Sequence, residues 1–156
     1  MNGPCEALKE PIEEVFQKFA YLDLELRPAA REFSQKWLHC TRVKCGAEAD
    51  VVLLMMCSPE LAATVSNNFL GIAEGSRPGQ RMDIISELTN VLAGRTYEIL
   101  RANMPPKIIS PPEMLGIREA TQIWEQAPVE CRYALCSETE DCGGILVFFR
   151  DEWSRP

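Results

Sequence analysis

Apolar residues in "EALKEPIEEVFQKFAYLDL", residues 6–24, fall at helical spacing: Ile12, Val15, Phe16 and Phe19 share one face. Pro11 lies in the first turn, where its missing N–H does no harm. "LRPAAREF" then breaks the pattern. "FSQKWLHCTRVKC" roughly alternates and "ADVVLLMMC" is a continuous apolar run, as expected of a buried strand. With "CGAEAD" as the turn between them, the two predict an antiparallel pair. "SPELAATVSNNFLG" carries helix punctuation, with Ser58 as N-cap, Pro59 at the first helical position and Gly71 just past the end. After the flexible "IAEGSRPGQ", a long helix is predicted from about Gln80 to Arg101, stopped by "NMPP" with Pro105 and Pro106. "KIISPPEML" reads as a short strand bounded by prolines, and "GIREATQIWEQAP" is ambiguous. "VECRYALCS" and "GGILVFFRDE" read as strands joined by the acidic turn "SETEDCGG".

Helix, two strands, two helices and about three more strands make segregated runs, which predicts an α+β fold with helices packed on an antiparallel-rich sheet. The chain has 156 residues and no linker or low-complexity tract, so residues 1–156 are expected to form one domain. "GGILVFFRDE", with Val147, Phe148 and Phe149 in succession, fits either of two places. At a sheet edge it would pair with another chain and give a homodimer, with the paired edges away from the long helix. As a central strand it would need the same apolar run for packing alone.

The composition, 46% hydrophobic and 25% charged, is that of a folded protein, and the net charge of −7 argues against nucleic acid or an anionic membrane as the main partner. No transmembrane span or export signal is visible, which predicts a cytoplasmic protein. None of the seven cysteines forms a CxxC pair. His39, Cys40 and Cys45 in "HCTRVKC" lack the paired spacing of a structural zinc site, so no metal is expected on this chain. Without a secretory signal, disulfides are not expected either, and the thiols read as small apolar residues. Trp37, Trp124 and Trp153 fit core or interface equally.

On the long helix, Ile84, Ile85, Leu88, Val91, Leu92 and Ile99 cover one broad face. Glu87 and Asn90 project from nearly the opposite side, and Gly94 lies between them in angle, one turn further on. A glycine inside a helix costs about 1 kcal/mol relative to alanine. The group reads either as a plain polar face with a weak helix former, or as a surface kept open for a partner to approach the backbone.

"ISELTNVLAG" resembles the active-site helix of the CheC/CheX chemotaxis phosphatases, whose hallmark is Glu-x-x-Asn. "EEVFQKFAYLDLE" is similar to that family's opening helix, "ADVVLLMMCSPELAATVSNNFLG" to its strand and Pro-Glu helix, "IISPPEMLG" to its strand–proline–glycine segment, and "GGILVFFRDE" to its closing strand. The single intact motif is closest to the CheX branch. The resemblance implies removal of the phosphoryl group from the aspartyl-phosphate of a CheY-like response regulator in chemotaxis or other two-component signalling. It also implies that Asn90 orients the attacking water and that Glu87 pairs with the regulator's active-site lysine. Any Mg2+ would be held by the regulator and no cofactor by this chain. Such chemistry needs positioning more than a strong base, and an amide holds a water without titrating. Gly94 and Asp83 are candidate partner-binding positions. Glu14 and Gln17, as Glu-x-x-Gln on the first helix, are a candidate second site, although Glu14 also has Lys18 as an i+4 ion-pair partner. Ser66–Asn68 read as structural. The competing readings are a non-enzymatic module that docks a response regulator or serves as a scaffold, and an assembly protein joined through strand edges.

Overall fold

The apolar run Val51–Cys57 forms a strand, β3, in which every residue is buried. Successive side chains of a strand point to opposite faces, so such a run requires cover on both. The computed structural model, which describes residues 5–29, 39–46, 51–100, 109–127, 130–137 and 141–149, supplies it. A 3-10 turn, Glu6–Leu8, leads into α1, Lys9–Ala20, followed by β1, Glu25–Pro28, and β2, His39–Cys45. After β3 come α2, Pro59–Leu70, and α3, Pro78–Leu100, then β4, Glu113–Leu115, α4, Ile117–Gln126, β5, Glu130–Cys136, and β6, Asp141–Phe149. The strands form one sheet in the order β1-β5-β6-β3-β2-β4, and every neighbouring pair is antiparallel. Val51, Leu53, Met55 and Cys57 pack with α1, α2 and α3 on one face. Val52, Leu54 and Met56 pack on the other, with Ala120 and Trp124 of α4. The expected α+β architecture is therefore observed, and Trp124 is a core residue.

Local chemistry sets the boundaries. The Ser58 hydroxyl accepts from the Leu61 N–H at 3.0 Å to cap α2, and Gly71 ends it at φ +70°. The ambiguous segment becomes α4 because Ala120 and Trp124 are one turn apart and both fully buried. Its C-terminal carbonyls are held by buried Arg132, which donates to Trp124 at 2.7 and 3.0 Å and to Ala127 at 3.1 Å.

Several expectations are corrected. β1 was not legible, because its four residues bury only Leu26 and include Pro28. β4 follows the prolines instead of spanning them, and Ile109 makes only an isolated bridge to Cys45. β6 lies between β5 and β3, so the homodimer expected through an exposed β6 edge loses that route. β6 begins at Asp141, two residues before the predicted strand, so Asp141 and Cys142 of the predicted turn join Gly143 and Gly144 in the strand. There a Cβ on Gly143 would stand 2.5 Å from the Met56 carbonyl oxygen. Gly143→Ala is accordingly expected to destabilise the fold by about 1–3 kcal/mol through overpacking against backbone, read as a lower urea midpoint at unchanged slope.

The seven thiols are not all reduced: Cys5 and Cys131 are joined in a disulfide. They are 126 residues apart in sequence, a separation that no spacing argument bridges. The other five cysteines are buried. Cys40 and Cys45 belong to the cores on opposite faces of the sheet. No helix among the described residues is long and apolar enough to cross a membrane. Trp37, Trp153, Pro105, Pro106, and residues 47–50 and 138–140 of the two predicted turns lie outside the described residues.

Candidate functional site on the long helix

α3 rests on the sheet at a different angle from the one its apolar residues suggest. Ile84, Ile85, Leu88 and Leu92 are buried as expected, and Ile99 is partly so, but Val91 is 39% exposed. In its place Thr89, Ala93 and Thr96 are buried. Small side chains there let the strands close in: the Cys45 thiol reaches the Ala93 carbonyl at 3.7 Å, and the Thr89 hydroxyl donates to the Ile85 carbonyl at 2.7 Å beside the Met55 sulfur. A count of large apolar residues cannot see this preference for close approach.

The rotation carries Ser86, Asn90 and Gly94, successive turns of one stripe, toward the segment 109–114. The Ser86 hydroxyl lies 3.9 Å from the Met114 sulfur, and the Ile109 Cδ1 would lie 3.5 Å from a Cβ at Gly94. Asn90, the middle residue of the stripe, is half-buried instead of fully projecting into solvent, which corrects the expectation for it. Its Oδ1 is enclosed and finds no hydrogen-bond donor among the described residues. An enclosed acceptor left unpaired costs about 1–3 kcal/mol. Glu87, by contrast, is exposed as expected and makes no ion pair among the described residues. Asp83, one turn earlier, is exposed as well. Ser86 and Met114 were missed from the sequence, although the four-residue step from Ser86 to Asn90 was a legible signal.

Gly94 is not an open gap, because the Ile109 side chain covers it at ordinary contact distance. Gly94→Ala is therefore expected to fit and to stabilise the protein by about 0.5–1 kcal/mol, since the helix gains propensity without a clash. Thermal unfolding of the variant checks this.

Of the second pair, Glu14 is exposed and ion-paired to Lys18, whose hydrogen bond and charge hold its carboxyl below the usual range. Gln17 is exposed on the same helix. Glu14, Pro11, Val15, Lys18 and Phe19 of α1 form one wall of a groove of about 450 Å³ whose other wall is Val91 and Arg95 of α3. Glu14 thus faces α3 across the groove, and Gln17 does not line it. Asn67 and Asn68 act structurally: Asn67 Oδ1 accepts from the Ser76 N–H at 3.1 Å, and Asn68 donates to the Ala20 carbonyl at 2.8 Å.

His39 opens β2, and burial, with the Arg81 charge adding, holds its imidazole below its ordinary value of 6.5. The folded state therefore takes up this proton less readily than the unfolded chain does. Its contribution is intact above pH 6.5 and is lost as pH falls through and below that value. Urea unfolding across this range is expected to show His39→Gln losing less stability on acidification than the wild type.

Among the described residues, six antiparallel strands with three helices on one face make up the fold of the CheX and CheC-like proteins. The chemotaxis protein CheX from Vibrio vulnificus matches with a TM-score of 0.66 at 18% identity, over 96% of this chain and 99% of that one. A CheC-like superfamily protein from a Shewanella species matches at 0.66 and 14% identity, over 94% and 97%. A chain of the CheX–CheY–BeF3–Mg2+ complex from Borrelia burgdorferi matches at 0.65 and 15%, over 93% and 94%. A chain of the FliM–SpeE complex from H. pylori matches at 0.61 and 8%, over 94% and 83%. At these identities the shared property is the fold. No family model matches the sequence, and no curated protein matches it either.

Proposed function

We propose that this chain is a CheC/CheX-type phosphatase, of the single-motif CheX kind, that removes the phosphoryl group from the aspartyl-phosphate of a CheY-like response regulator. The observation that carries the reading is the placement, one turn apart on α3, of an exposed Glu87 with no ion pair among the described residues and a half-buried Asn90 carboxamide. On one helix turn they offer a partner a carboxylate and an amide, the group types that fix a register and hold a water. In this reading α3 enters the regulator's phosphorylation site. Asn90 positions a water in line with the phosphorus, its Nδ2 donating to that water or to the phosphoryl oxygens. Glu87 pairs with the regulator's lysine and fixes the register. The divalent ion belongs to the regulator, and the reaction takes place in the cytoplasm.

A second reading is a non-enzymatic docking module or scaffold, since the same fold also occurs in a chain of the FliM–SpeE complex. Phosphate release from a panel of phosphorylated receiver domains separates the two. Acceleration of one or more receivers supports the phosphatase, and binding of a phosphorylated receiver with unchanged release selects the docking module.

A further inference from the structure

We propose that Cys5 and Cys131 form a reversible redox latch, which fixes the start of α1 to β5 when closed and loosens α1 beside the Glu87/Asn90 face when open. The latch stands on the disulfide and its surroundings and does not depend on the proposed activity.

The bond joins two parts of the chain that are 126 residues apart. Cys131 lies on β5 and is 3% exposed, whereas Cys5 is half-buried and directly precedes the 3-10 turn leading into α1. An attacking thiolate therefore meets the Cys5 sulfur first. The new bond forms between that sulfur and the incoming sulfur, the Cys5–Cys131 bond breaks, and its electron pair leaves on Cys131, which takes a proton. A second thiolate attacks the mixed disulfide and releases Cys5, so two low-molecular-weight thiols become one disulfide. A low-molecular-weight disulfide drives the reverse reaction.

Two features favour reversal over scrambling. The five remaining cysteines are buried, and burial pushes the Cys40 and Cys45 thiols up to about 11 and that of Cys57 higher still, which keeps them out of exchange. The Tyr133 hydroxyl donates to the Cys5 carbonyl, and Leu8 is fully buried, so non-covalent contacts keep Cys5 near Cys131 after reduction. Closure is then intramolecular at high effective concentration. What the latch governs follows from position. α1 supplies Val15 and Phe19 to the groove facing Val91 of α3, and Val91 is one turn from Glu87.

The test uses the full chain equilibrated in glutathione buffers from fully oxidised to fully reduced, acid-quenched, unfolded and alkylated. The expected count of free thiols moves from five to seven across the series, and returns on reoxidation. Amide exchange over residues 6–20 is expected to quicken in step with the count. The melting temperature should fall by roughly 10 °C, the effect of releasing so long a loop. Cys5→Ser should behave as the reduced protein throughout, with no response to the buffer. Seven thiols at every ratio, five at every ratio, or an exchange rate in α1 that ignores the thiol count would each overturn the latch.

Discussion

Replacing Asn90 with alanine is expected to lower the accelerated loss of phosphoryl group from the regulator by about 100-fold or more. Regulator binding should stay measurable. The substitution removes the only amide on the α3 stripe while leaving the exposed Glu87 and the walls of the groove in place. Holding a water in line contributes to the transition state and little to the ground state, so the loss should appear in kcat and not in KM. Fold stability should not fall in parallel, because the Asn90 oxygen has no partner among the described residues to lose. Glu87→Ala is expected to differ in kind. It should raise KM as well as lower kcat/KM, because the carboxylate is assigned to docking through an ion pair. Stopped-flow or phosphate-release kinetics over a range of regulator concentrations distinguish the two patterns. Identical rates for both variants and the wild type would remove α3 from the chemistry.

A large stability effect is expected at Arg132. Arg132→Ala should cost about 3 kcal/mol, seen as a fall of roughly 10 °C in melting temperature. The guanidinium is buried and holds the Trp124 and Ala127 carbonyls at the end of α4, so its removal takes these three hydrogen bonds from enclosed acceptors. α4 is the one helix among the described residues that packs through Ala120 and Trp124 onto the second face of the sheet. Its loosening therefore exposes Leu54, Met56 and Phe148 as well. Arg132→Lys should recover only part of the loss, since an ammonium cannot span both carbonyls with a planar fork. Calorimetry on the three proteins measures the difference.

The sequence carried most of the architecture because the strongest elements announce themselves locally. β3 has a run of apolar residues long enough to be buried on both faces, and α2 has its Ser58–Pro59 start and Gly71 stop. What stayed hidden depends on contacts between distant segments. β1 exists because Leu26 pairs opposite Leu135 and the Leu26 N–H reaches the Glu13 carboxylate at 2.8 Å, neither of which has a local period. The centrality of β6 follows from its pairing with β3 and β5 together, and an apolar strand reads the same at an edge. At the site, the Glu87–Asn90 spacing was visible. The half-burial of Asn90 was not, because it is set by how Thr89, Ala93 and Thr96 let α3 roll onto β2 and β3. Likewise the cover over Gly94 comes from Ile109, which follows α3 in sequence and returns beside it.

The central claim is that the α3 face acts on a phosphorylated aspartate, and the most direct measurement is the decay of a phosphorylated receiver domain under single-turnover conditions. Rising concentrations of this protein should increase the decay rate constant to a plateau, with Asn90→Ala showing the same half-saturation and a plateau near the receiver's own rate. A decay rate that stays at the receiver's own value, with the wild-type protein bound at saturation, would contradict it.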